Sequence, residues 1–196
     1  MAVRACFAVP AFLAAAVFVP IGPALPAEES TAARAQAIAA RIVIPGPDEP
    51  GAPLVVSGTI YAPDGRTPLE GMTLHVYHTD AKGLYSEDDA RKPDGRPASR
   101  LAGTMRTDAA GRYEFRTIRP GSYPGSRVPA HIHARIEGPG YPQAWIEDYV
   151  FEDDPYLPES IRSRHAAEGS FSPVLKPIRG DDGVMRGARD IRVRTP

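Results

Sequence analysis

Proline and glycine interrupt this chain too often for long helices and too irregularly for a repeat. Twenty-two Pro and 18 Gly make about a fifth of the 196 residues. Proline fixes φ and removes a backbone donor, while glycine permits tight turns. The punctuation therefore predicts many short strands and argues against a helical bundle. From residue 54 the intervening runs are β-branched or alternating. LVVSGTIY (54–61) ends in the turn signal APDGR (62–66). MTLHVYHT (72–79) alternates, with Leu74, Val76 and His78 on one face and Thr73, His75, Tyr77 and Thr79 on the other. GTMRT (103–107) and RYEFRTI (112–118) flank the hairpin signal DAAG (108–111). AHIHARIEG (130–138), QAWIEDYVF (143–151) and ARDIRVRT (188–195) follow as strands, with one helical turn expected within 155–167. The fold class expected is all-β: an antiparallel β-sandwich over residues 51–196 with a short N-terminal helical arm.

The length suits one domain preceded by a leader. Residues 1–27 have the layout of a signal peptide: Arg4, an apolar stretch from Phe7 to Val19, and small residues Ala24 and Ala27 as cleavage points. That stretch is short and proline-containing for a membrane span, an uncleaved anchor being the alternative. The expected location is secreted or periplasmic. Residues 28–50 read as an arm and linker, with a helix over 28–41 capped by Ser30 or Thr31 and an extended entry, IPGPDEPGAP, at 44–53. Cys6, the single cysteine, lies in the leader. A processed chain would have no disulfide, thiolate site or Cys nucleophile. Loss of Arg4 leaves 22 of the 23 basic residues against 24 acidic ones, a net charge of −2. With no basic stripe, nucleic acid is not an expected partner. After the leader no apolar segment is long enough to hold the chain in a membrane.

The chemistry concentrates in TIRPGSYPGSRVPAHIHARI (117–136). His131 and His133 stand two apart on an expected strand, so both imidazoles leave one face, about 7 Å apart at their roots. From there they can converge on a metal through bonds of about 2 Å. Two half-buried histidines bonded to neighbours are an equally simple reading. Tyr123 precedes His131 in a Gly/Pro loop able to fold back over the strand, and Tyr85 ends HTDAKGLY (78–85) just after another strand. Spacing alone does not identify these tyrosines as ligands. If they join the histidines, two phenolates and two neutral imidazoles suit a hard, highly charged cation, iron(III) above Zn²⁺ or Cu⁺. A phenol ionises near pH 10 unless a cation lies beside it. His75, His78 and His165 read as ordinary structural histidines, His78 also as a support for the loop to Tyr85. The EDD runs at 87–89 and 152–154 read as solvated turns.

Several stretches, in order, carry a resemblance: PGPDEPGAPLVVSGTIY, LEGMTLHVYHTDAKGLYS, GTMRTDAAGRYEFRTIRPGSYP, VPAHIHARIEGPG and YVFEDDP. Across about residues 46–155 the chain resembles the intradiol ring-cleavage dioxygenases, particularly the protocatechuate 3,4-dioxygenase type. The resemblance implies a β-sandwich with mononuclear Fe(3+), held by Tyr85 and His131 as equatorial ligands and Tyr123 and His133 as axial ones. It further implies a small aromatic diol and O₂ as reactants, cleavage of a catechol-type ring to a muconate-type diacid, Tyr123 as proton acceptor and a homo-oligomer as a possible assembly. Arg127 would stabilise charge on the ring. Two positions depart from the family pattern. Val128 stands where an Arg commonly precedes Pro-Ala-His-Ile-His, and Asp148 where a Gln or similar group is frequent. The rival reading is a secreted metal-binding β-sandwich without ring-cleavage activity.

Overall fold

In the computed structural model the described residues are 39–45, 48–86, 95 and 97–195. The leader at 1–27, the arm up to residue 38 and the acidic run at 87–89 lie outside them. The alternating runs become strands: β1 (Arg41–Val43), β2 (Pro53–Tyr61), β3 (Thr73–His78), β4 (Leu101–Arg106), β5 (Arg112–Ile118), β6 (His131–Gly138), β7 (Tyr141–Trp145) and β8 (Tyr149–Phe151). Helix α1 (Glu159–His165) comes next, then β9 (Val174–Leu175), β10 (Ile178–Arg179), β11 (Met185–Ala188) and β12 (Ile191–Arg192). One sheet has the order β1-β5-β2-β11-β10, with β12 also on β2; the other has β4-β3-β6-β8-β9, with β7 also on β6.

Alternation decides what lies between the sheets. Leu54, Val56 and Ile60 of β2 and Phe115 of β5 meet Leu74 and Val76 of β3, Met105 of β4, Ile132 and Ala134 of β6, and Phe151 of β8 in one cluster. Burial of each large apolar side chain there contributes about 1.5–3 kcal/mol. Among the odd-numbered residues of β6, which face outward, His131 and His133 remain half-buried.

The all-β sandwich matches expectation, and the pairs β2–β5, β3–β4, β3–β6 and β6–β8 are antiparallel. Parallel pairs were not anticipated: β1–β5, β2–β11, β2–β12 and β8–β9. Such partners come from distant parts of the chain, and no local turn announces them. Arg41–Val43, assigned by sequence to the arm, pairs with β5 because Ile42 and Ile44 cover Gly103 of β4, where a Cβ would sit 2.5 Å from Ile42. Gly58 of β2 is required by close approach. A Cβ there would fall 1.7 Å from the Arg189 carbonyl oxygen, which accepts the Tyr113 hydroxyl at 2.6 Å.

The expected strand 143–151 is split at Ile146–Asp148. Trp145 faces Arg135, but Tyr149 faces Ile132, one residue out of step with that register. The extra residue bulges, and bulges re-aim side chains. Asp148 is the side chain re-aimed here.

His78 ties the sheets together. It is fully buried, donates from Nδ1 to the Thr79 carbonyl at 2.7 Å, and accepts the Thr117 hydroxyl on Nε2 at 2.7 Å. Burial lowers its pKa from 6.5 to about 4. The unfolded chain therefore takes up this proton first as pH falls. Stability from His78 is complete above pH 6.5 and is lost towards pH 4, by about 3 kcal/mol. Urea unfolding of the wild type and His78→Gln should show that component in the wild type alone; parallel pH profiles would contradict it.

Candidate metal centre

Two glycines dock the tyrosine-bearing loops backbone to backbone. After β3 the chain turns around Asp80, whose Oδ1 accepts the Lys82 N–H at 2.8 Å and the Leu84 N–H at 3.0 Å. Gly83 lies so close to the next loop that a Cβ would meet the Ser122 oxygen at 1.9 Å, and a Cβ on Gly121 would meet the Ala81 oxygen at 2.5 Å. The Gly121 N–H donates to the Asp80 carbonyl at 2.8 Å, and the Thr79 hydroxyl to the Gly121 carbonyl at 2.8 Å. Tyr85 and Tyr123 each sit two residues beyond one of these glycines. Arg100, ion-paired with Glu49, donates its backbone N–H to the Tyr85 carbonyl at 3.0 Å.

The histidines are fixed from below. The Ala130 N–H donates to Asp154 Oδ2 at 2.9 Å, anchoring the chain one residue before His131. Asp154 is 4% exposed, which corrects its reading as a solvated turn residue; its second oxygen accepts the Tyr156 N–H at 2.8 Å. Asp153 beside it binds Arg119 at 2.7 Å and 2.8 Å. Tyr77, directly across from His133 in the β3–β6 register, stacks on that imidazole at 4.6 Å between ring centroids.

All four side chains singled out from sequence meet at one point. The Tyr85 and Tyr123 hydroxyls are 2.5 Å apart. Tyr85 lies 2.9 Å from His133 Nε2, Tyr123 lies 3.0 Å from His131 Nε2, and the two Nε2 atoms are 3.1 Å apart. The far sides of both rings are engaged: His131 Nδ1 donates to the Pro129 carbonyl at 2.7 Å and His133 Nδ1 to Asp148 Oδ1 at 3.0 Å. Both Nε2 atoms therefore present lone pairs inward. Two phenolic protons must then serve four close contacts, leaving two of them lone pair against lone pair. Even a further proton on His133 would leave one. Burial raises the pKa of both phenols and lowers that of His131. Without a cation the phenols stay protonated and the crowding is unrelieved; a central cation relieves it. Donors 2.5–3.1 Å apart match ligands on bonds of about 2 Å. His131, His133 and Asp148 also form a group of potential ligands within 4.8 Å. Asp148, however, is occupied on the outer nitrogen of His133, where a carboxylate orients a ligating imidazole.

A cleft of about 430 Å³ opens beside Tyr123 and His131. Val128 lines it; Arg127 is exposed and is not among the lining residues. The structure thus brings the two tyrosines and two histidines together and leaves Arg127 apart. Sequence reasoning gave Tyr77 only a strand face, read His165 as an ordinary structural histidine and did not single out Glu147. Tyr77 was findable from its face of β3. His165 is 5% exposed, lies on the cleft wall and bonds Glu168 at 2.8 Å. Its helix gave no signal of that placement.

A β-sandwich that aims two phenols and two imidazoles at one point is, by its chemistry, a metal-binding scaffold. The profile of the family described as Dioxygenase matches residues 22–171, and the chain belongs to the intradiol ring-cleavage dioxygenases. It is similar to catechol 1,2-dioxygenase 1 of Acinetobacter lwoffii, 42% identical over 78 residues covering 39% of this chain and 24% of that protein. It is also similar to the protocatechuate 3,4-dioxygenase beta chain of Burkholderia cepacia, 31% identical over 129 residues covering 58% and 54%. Among solved structures, the dioxygenase domain of a dioxygenase carbohydrate-binding protein fusion from Streptomyces sp. SirexAA-E superposes with a TM-score of 0.57 at 25% identity, covering 79% of this chain and 87% of that one. The chain spans between 24% and 56% of the length of the first curated relatives it matches.

Proposed function

We propose that this protein is an iron(III) dioxygenase that opens a catechol-type ring between its two hydroxyl-bearing carbons, giving a muconate-type diacid. The observation that carries the reading is the ring of four donors with too few protons to satisfy one another. Tyr85, Tyr123, His131 and His133 would hold the metal, which when bound supplies a Lewis acid and a template for the diol oxygens. The protein's own groups do the rest. Pro129 and Asp148 keep the Nδ1 protons of the two histidines, so that Nε2 faces inward. Tyr123 borders the cleft, and with a metal bound its phenolate would accept a proton from a substrate hydroxyl. Val128, Val150, Leu157 and Ile161 give the cleft apolar walls against which a ring can pack. Arg127 is exposed and outside the cleft lining, so this reading assigns it no contact with the ring.

The test is metal content, colour and product. Purified protein should carry one iron per chain, absorb visible light as a ferric phenolate, change colour on adding catechol, and consume oxygen while forming the diacid. A colourless zinc form, or oxygen uptake without ring opening, would overturn the reading. We also infer export through residues 1–27, which N-terminal sequencing of protein recovered outside the cytoplasm would check.

A further inference from the structure

The cleft beside the four donors is chemically lopsided. Next to Tyr123 and His131 its walls are apolar, and its polar lining is Glu147, Asp148 and His165. None of the described lining residues is Lys or Arg. Asp148 already accepts the His133 proton. Glu147 has one ion-pair partner among the described residues, His165, and only when that imidazole carries a proton on both nitrogens. Arg189 bonds its backbone carbonyl at 2.8 Å instead of its carboxylate. His165 gives its Nδ1 proton to Glu168 at 2.8 Å and leaves Nε2 at 3.6 Å from Glu147, beyond hydrogen-bonding distance. The Glu147 side chain is 51% exposed and lines this cleft as well as the neighbouring cavity that carries Arg189, Arg192 and Arg194.

We infer that Glu147 is a specificity-determining residue that turns this cleft against ring carboxylates, making catechols without an acidic substituent the substrate class. The inference rests on the catechol reading above. A ring held at the four donors places its substituents between apolar walls and two carboxylates. An anionic substituent there loses water and meets like charge. An alkyl or halogen substituent meets no such charge and gains burial against the walls. Selectivity of this kind is built from repulsion as much as attraction.

The experiment compares 4-methylcatechol with protocatechuate (the same diol with a ring carboxylate) on the iron-loaded protein. The readouts are kcat/KM and anaerobic binding followed by the visible band. Wild type should favour 4-methylcatechol by about 100-fold or more; Glu147→Gln should raise the protocatechuate share about fivefold and Glu147→Lys about 20-fold. Glu147 is exposed, so neither variant threatens the fold. Equal use of both diols by the wild type, or a ratio unmoved in both variants, overturns the inference. If 4-methylcatechol is bound and cleaved in that case, the function stands and the specificity alone fails. If no catechol alters the colour or is cleaved, both readings fall.

Discussion

Tyr85→Phe is expected to lower bound iron about tenfold or more and to remove or shift the visible band. The change deletes one oxygen and leaves the ring. That ring packs 6.0 Å from Tyr77 and 6.3 Å from His133, so the loop retains its apolar contacts and the sandwich is undisturbed. What disappears is an anionic donor, and with it much of the preference for a trivalent ion over zinc. Metal analysis and a visible spectrum decide the matter, with far-ultraviolet circular dichroism as the folding control. Unchanged iron content and spectrum would show that Tyr85 is not a ligand.

A variant that touches no donor should do comparable damage. Gly83 has φ +86°, and a Cβ there would lie 1.9 Å from the Ser122 oxygen. Ser122 precedes Tyr123, so Gly83→Ala forces apart the two loops that carry the phenols. The expected cost is about 2–4 kcal/mol in stability, from strain and overpacking together, with iron lost about tenfold. Gly140→Ala is the control. Its φ is +79° with no atom within 4 Å of the added Cβ, so it should cost about 1–2 kcal/mol and leave iron content intact. Equal iron in the two variants would show that the loop contact does not position the site.

These two experiments probe features of unequal visibility in the sequence. The alternation in 72–79 announced which residues of β3 are buried, and a spacing of two announced that His131 and His133 share a face. Both follow from strand geometry alone. The tyrosines needed more, because a loop residue's direction depends on contacts across the chain. Gly83 against Ser122 is such a contact, and nothing at residue 83 reveals it. The bulge at 146–148 was hidden for another reason. Trp145, Ile146, Tyr149 and Val150 read as one apolar strand, and a slip of register leaves no compositional mark. Asp148 stood out as a departure from the family pattern, but its bond to His133 appears only once that slip is known. Asp154 looked like one of three interchangeable acids until its bond to the Ala130 amide set it apart. His165 and the cleft wall came from a short helix with no periodicity to read.

The parallel pairing of β2 with β11 and β12 also has a bearing on how the chain acquires its shape. Leu54 faces Met185 and Ile60 faces Ile191, so the sheet near its beginning is completed by segments some 130 residues later. Contacts of that span are slow to form. While residues 185–192 are still missing, β2 exposes a row of unpaired amides along one side. A nascent or shortened chain therefore has an adhesive seam where the finished protein has none, and assembly should be a late event open to capture by chaperones.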